Sequence, residues 1–217
     1  MDGSRPRVVV HVAVSLDGAT TGFEVDVACY YDLVSSWDED VTLVGADTIL
    51  AQEQALASAP QPGPSADAPL LAVVDGRRRV RQWGALRSCG HWRDAVALRA
   101  GGGEEAGAGE PVRELTAGRA KRVHLGRALE LLGEREGART IRVDSGPALI
   151  GALLKRGLVD ELSLLLHPCL AGDAGGAPWH RGTDLRPLSF DTRAVERLDN
   201  GLVWLRLHAA APRPGPG

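Results

Sequence analysis

Cysteine is scarce in this chain, three in 217 residues, and Cys29, Cys89 and Cys169 stand far apart with no C-x-x-C pair among them. An odd number without metal-ligand spacing supports neither a disulfide framework nor a zinc site, and it suits a reducing cytoplasm. An excess of one charge is missing too. The formal net charge of -3 gives no electrostatic reason to bind nucleic acid or an anionic membrane, which leaves a small molecule as the expected partner. No stretch of about 20 apolar residues exists to span a bilayer. The apolar run within "MDGSRPRVVVHVAVSLDG" is too short and too early for a secretory signal, so a soluble protein is expected. The glycines form neither G-x-G-x-x-G nor G-x-x-x-x-G-K-[ST], which argues against a standard dinucleotide fold and a P-loop. No internal repeat of fixed period is visible.

What the chain does have is an apolar content of 44%, enough for a substantial core, and a single domain over residues 1–208 is expected rather than two small ones. Three segments lack the apolar surface that offsets ordering entropy: "SAPQPGPSADAP" (58–69), "RAGGGEEAGAGE" (99–110) and "AAAPRPGPG" (209–217). They read as two loops and a disordered tail. "VVVHVAVSL" (8–16) is β-branched and nearly continuous, as in a strand covered on both faces of a parallel sheet. The spacing of Val27, Tyr30, Tyr31, Val34 and Trp37 predicts one face of a helix. Further strands are expected at "VTLVG" (41–45), "LLAVVD" (70–75), "DAVAL" (94–98), "VREL" (112–115), "IRV" (141–143) and "ELSLLLHPCL" (161–170), with a helix marked by Leu125, Ala128, Leu129 and Leu132. Near the end, "AVERLDNGLVWLRLH" sets two extended runs around Asn200-Gly201, a hairpin signal. The pattern predicts an α/β fold: a mixed, mostly parallel sheet with helices on both faces and a C-terminal antiparallel hairpin. Such sheets bind ligands outside the carboxyl ends of their strands.

Two strand ends stand out. In "IRVDSGPALIG" (141–151), Ser145 can cap a helix whose first turn holds Pro147, and Leu149, Ile150, Leu153 and Leu154 form its buried stripe. The unbonded N–H groups at such a start attract an anion, and Gly146 lets a diphosphate approach without a Cβ in the way. A plain strand-to-helix connection is the other reading of this turn. In "VTLVGADTIL" (41–50), Gly45 closes a strand and Thr48 offers a hydroxyl beside another run of amides.

Taken in order, "VHVAVSLDG", "VTLVGADTIL", "VDSGPALIGALLKRGLVDELSLLLHPCLAG" and the C-terminal hairpin resemble the pyrimidine reductase domain of riboflavin biosynthesis, part of the dihydrofolate-reductase-like superfamily. The resemblance spans roughly residues 6–208, and its most specific part is the G-P-x-L turn followed by G-L-V-D-E-L. It implies NADPH as cofactor, hydride transfer to an aminopyrimidine or related heterocycle, and a homodimer. It places Ala13 where the first strand approaches the nicotinamide, Gly45 and Thr48 beside the cofactor, and Ser145, Gly146, Pro147, Ala148 and Leu149 around the diphosphate. The family's glutamate before this turn is Asp144 here, and an acidic residue four positions after the threonine is Gln52. Basic residues that some members direct at the ribose phosphate correspond to Ser36 and Ala59, so phosphate recognition does not carry over.

Asp144 is the candidate proton donor, a role that requires desolvation to raise its pKa. Asp17 in "SLDG" either orients substrate or serves the turn, and the residues do not choose between the two. His167 with Cys169, His91 and His180 read as packing residues rather than metal ligands. The arginines of "DGRRRVR" (75–81) read as a solvated loop, with a 2′-phosphate contact as the alternative.

Overall fold

The computed structural model describes residues 5–101, 111–119, 122–181 and 188–210. In chain order the elements are β1 (Arg7–Ser15), α1 (Val27–Val34), β2 (Val41–Gly45), α2 (Ala46–Ala51), α3 (Glu53–Ser58), β3 (Leu70–Val74), α4 (Trp83–Ser88), β4 (Asp94–Gly101), β5 (Arg113–Arg119), β6 (Arg122–Val123), α5 (Leu125–Glu136), β7 (Thr140–Val143), α6 (Pro147–Leu154), β8 (Glu161–His167), β9 (Phe190–Arg197) and β10 (Val203–Ala209). The chain divides into two compact units, both discontinuous in sequence: Met1–Pro6 with Asp38–Ser145, and Arg7–Trp37 with Gly146–Gly217.

In the first unit the strand order is β6-β5-β4-β3-β2-β7, every ladder parallel except β5 with β6. Val44, Ile49, Leu71, Val73, Trp83, Leu86 and Ala97 are buried together there. β3 is buried at four of its five positions, which is why its sequence is continuously apolar rather than alternating. The stripe on α5 is buried at Leu125, Ala128, Leu129 and Leu132, as its spacing predicts, with Leu131 besides.

In the second unit the order is β1-β8-β10-β9, with β1 and β8 parallel and the last two ladders antiparallel. All of β1 beyond Arg7 is buried. The β9–β10 hairpin turns through Asp199 and Asn200 to Gly201, whose φ of 84° lies in the left-handed region that glycine enters without steric cost. The stripe on α6 is buried at all four expected positions, Leu149, Ile150, Leu153 and Leu154. Gly151 on the same helix is needed for a different reason: a Cβ there would strike the carbonyl oxygen of His180.

Several expectations are corrected. α1 ends at Val34, before Trp37, and Val27 and Tyr31 are 57% and 53% exposed. The residues that pack are Cys29, Tyr30 and Leu33, because the Tyr30 hydroxyl donates to the His11 carbonyl and turns that side of the helix inward. The loop expected from residue 99 begins later, since Arg99, Ala100 and Gly101 complete β4. Residues 102–110 and 211–217, which hold the rest of that loop and most of the expected tail, lie outside the described residues. Ser58 closes α3 rather than opening a loop, and β9 starts at Phe190, four residues before the expected run. The short helices α2, α3 and α4 carry too few residues for a 3.6-residue period to be read. No helix among the described residues is long and apolar enough to cross a membrane.

Candidate active site

In the first unit β2 runs directly into α2 at Gly45, and no side chain caps that helix. Ser145, expected to cap the helix after it, does something else. Its Oγ accepts the Gly45 N–H at 3.1 Å and meets Thr48 Oγ1 at 3.1 Å, so a hydroxyl pair ties the end of β7 to the β2–α2 turn. The local reason is that Gly146, not Ser145, is the N-cap of α6, and a serine hydroxyl takes whichever backbone donor is nearest.

Asp144 precedes this turn. Its N–H donates to the Leu43 carbonyl at 3.1 Å, and its Oδ2 accepts from Arg142 Nη1 at 2.9 Å. Arg142 also bonds Glu39 through two nitrogens. Neither Arg142 nor Glu39 was singled out in the sequence. An arginine on an "IRV" strand looks like a solvent-facing residue unless its acid is known, and Glu39 is 103 residues away.

In the second unit Gly146 has φ -72° and ψ 174°, Pro147 occupies the first turn of α6, and no side chain caps the helix. The first-turn N–H groups of a helix have no intrahelical acceptor, so an uncapped, Cβ-free start suits a bound anion. Ala148 and Leu149 complete this turn. Ala13 lies on β1 opposite Leu165, 9% exposed.

Asp17, also in the second unit, is exposed, and its carboxylate is engaged by the turn. Ser15 Oγ donates to Oδ1 at 2.5 Å, Ala171 N–H to Oδ1 at 3.1 Å and Gly172 N–H to Oδ2 at 2.8 Å. These hydrogen bonds, the Ser15 hydroxyl first, pull its carboxyl down from 3.8 to about 2. Asp17 therefore stays ionised throughout the neutral range and staples residues 171–172 to the end of β1.

The remaining candidates fall elsewhere. His167 is buried and its Nε2 accepts the Asp26 N–H at 3.1 Å. His91 is exposed beside Trp92, and no group of three or more His, Cys, Asp or Glu able to hold a metal occurs among the described residues. In the basic loop Arg78 pairs with Glu114 and Arg79 with Asp47, while Arg77, Arg79 and Arg81 are exposed. Gln52 and Ser36 are exposed and Ala59 is half-buried.

Comparison with solved structures identifies the fold. The riboflavin biosynthesis reductase Rib7 of Saccharomyces cerevisiae superposes with a TM-score of 0.69 at 20% identity, covering 95% of this chain and 90% of that one. Dihydrofolate reductase from Enterococcus faecalis follows the same course at a TM-score of 0.50 and 10% identity, covering 94% and 97%. The fold is thus the dihydrofolate-reductase-like one. The RibD C-terminal domain profile matches residues 6–204, and the chain belongs to that family of pyrimidine reductases, which are oxidoreductases. A curated relative, the 2,5-diamino-6-ribosylamino-4(3H)-pyrimidinone 5′-phosphate reductase of Archaeoglobus fulgidus, is 31% identical over 77% of this chain and 83% of its own length.

Proposed function

We propose that this chain is one NADPH-dependent reductase domain that delivers a hydride to the ribosyl carbon of an aminopyrimidine. The observation that carries the cofactor half is the start of α6, where Gly146 and Pro147 open a helix that no side chain caps. The N–H groups of Ala148 and Leu149, in the first turn that Gly146 and Pro147 open, would hold the diphosphate; Ala13 is the residue assigned to the nicotinamide, and Gly45, Thr48 and Ser145 are assigned to the cofactor by the family resemblance. NADPH supplies the hydride when bound. The preference for NADPH over NADH rests on the family resemblance; the arginines of residues 77–81 form a solvated loop in which Arg79 pairs with Asp47. Asp144 is the acid assigned to the substrate, and Asp17 holds the 171–172 backbone. The proton that completes reduction comes from ordered water, because the Asp144 carboxylate accepts from Arg142.

A homodimer belongs to this reading. One face of β10 presents Val203, Leu205 and Leu207, all half-buried, and Leu205 stands opposite Val195 of β9, which is 63% exposed. That is an apolar row along β10 with one apolar neighbour on β9. A two-fold axis would cover it with the same row of a second copy.

The Archaeoglobus relative is named for a phosphorylated substrate. Ser36 and Ala59 stand here where basic residues would meet that phosphate, and neutral side chains replace a guanidinium poorly. The expected result is that the substrate's phosphate adds less than about tenfold in affinity, or 1.4 kcal/mol. Calorimetry on the NADPH-loaded protein with the phosphorylated and dephosphorylated aminopyrimidine measures this. A larger gain places the phosphate ligands on other residues, and failure of both forms to bind removes the reading.

A further inference from the structure

We propose that Arg142 is a positioning residue that fixes Asp144 for the substrate, with Glu39 as the clamp that fixes Arg142; the inference rests on the reductase reading above. Arg142 lies on β7 opposite Thr42 of β2. Its side chain is 4% exposed and that of Glu39 is 8% exposed. The guanidinium closes a fork on Glu39, with Nε donating to Oε2 at 2.6 Å and Nη2 to Oε1 at 3.1 Å. Thr42 Oγ1 donates to the same carboxylate at 3.2 Å. A guanidinium is planar and its five donors are rigidly arranged, so a fork on Glu39 sets the direction of every other N–H on Arg142. Nη1 is thereby aimed at Asp144 Oδ2, 2.9 Å away. The Asp144 N–H is held by Leu43, so both the backbone and the carboxylate of this residue are fixed.

Arg142 thus joins a buried carboxylate, Glu39, to a partly exposed one, Asp144. Burial pushes the Glu39 carboxyl above its ordinary value, the Arg142 charge and hydrogen bonds oppose this, and the Asp144 charge adds to it. The fork on Glu39 holds the guanidinium in one orientation, and Asp144 meets the N–H which that orientation presents. Asp144 is the open member, its side chain 29% exposed. Held this way, Asp144 presents itself as a fixed hydrogen-bond acceptor, which suits an exocyclic amino group or a ring N–H of the aminopyrimidine. Functional groups need to be held to within about 0.5 Å, and an aspartate is one methylene shorter than the glutamate it replaces, so its orientation has less slack.

The test is a double-mutant cycle on wild type, Arg142→Met, Asp144→Asn and the double variant, with 2,5-diamino-6-ribosylamino-4(3H)-pyrimidinone 5′-phosphate as substrate. Each single variant is expected to lose about tenfold or more in kcat/KM, and the double variant no more than about threefold beyond Asp144→Asn, because Arg142 acts through the group already removed. The dissociation constant of NADPH stays within about twofold throughout, which separates positioning from general damage. Arg142→Lys keeps the charge without the fork and recovers only part of the loss. Where Arg142→Met does not fold, because Glu39 is left buried without its cation, Arg142→Met with Glu39→Gln takes its place in the cycle. Multiplicative losses, or an Arg142→Met enzyme within about twofold of wild type, overturn the inference while leaving the reductase reading intact. A wild-type protein inactive on this substrate overturns both.

Discussion

Replacing Asp75 with alanine is expected to lower stability by about 3 kcal/mol, because Arg99 loses its fully buried acid and two loop N–H groups lose their acceptor. Arg99 and Asp75 have side chains 4% and 0% exposed, and Arg99 Nη1 donates to Asp75 Oδ2 at 2.6 Å and to the Asp75 carbonyl at 2.8 Å. Asp75 also accepts the N–H groups of Arg79 at 2.9 Å and Val80 at 3.1 Å. It therefore organises the whole arginine loop after β3. Two further contacts hold Arg99, the Glu114 carboxylate at 3.1 Å and the Trp83 ring at 5.6 Å, so the cation stays in place when its buried anion is removed. For a chain of this size each kcal/mol moves the melting temperature by about 2–4 °C, so a fall of roughly 10 °C is expected in a scanning experiment. Adding Arg99→Met should recover only part of it, since the two loop N–H groups remain without their acceptor. A fall of less than about 2 °C would mean that the loop is held by something other than Asp75. The exposed pair between Arg79 and Asp47, at 2.6 Å, is not that something, because ion pairs in water contribute little.

Gly146→Val is expected to weaken NADPH binding by about ten- to a hundredfold, corresponding to the roughly 1–3 kcal/mol that forcing extra methyl groups into a close contact costs. With φ -72° and ψ 174° the backbone at Gly146 is extended and valine adopts it freely. The variant should fold normally, so lost affinity reads on the ligand and not on the helix. Ser145→Thr keeps the hydroxyl that meets Gly45 and Thr48 and should change the affinity much less. Calorimetry on both variants decides the matter. Equal affinity for wild type and Gly146→Val would remove the diphosphate from this turn.

How far the fold was legible depended on whether neighbours in sequence were also neighbours in space. The α6 stripe and Pro147 could be read directly, because helix periodicity and the first-turn preference of proline are local. Ser145 could not, since its two partners lie 100 and 97 residues away and a serine beside a helix start looks like a cap until they are seen. α1 misled for a related reason: tyrosine and valine extend the apolar stripe on paper, while a hydrogen bond from Tyr30 to His11 decides which side faces inward. Arg99 looked like the first residue of a glycine-rich loop because the charge it answers, Asp75, lies 24 residues earlier. Arg142 was hidden in the same way. Arginine is rarely buried without a paired acid, so its burial is a property of the pair, and a single sequence shows the pair only after folding. The turns at Gly45 and Gly146 were accordingly legible because the local backbone forms them, while the meetings of side chains from distant strands were not.

Use of NADPH by this chain to reduce an aminopyrimidine is tested by the loss of NADPH absorbance when the purified protein is mixed with 2,5-diamino-6-ribosylamino-4(3H)-pyrimidinone 5′-phosphate, with the product followed by mass spectrometry. The expected result is one NADPH consumed for each substrate molecule, a product heavier by two hydrogens, and a much slower reaction with NADH. A protein that binds NADPH yet leaves its absorbance unchanged with both the phosphorylated and the dephosphorylated substrate would contradict the claim and leave a cofactor-binding module without this chemistry.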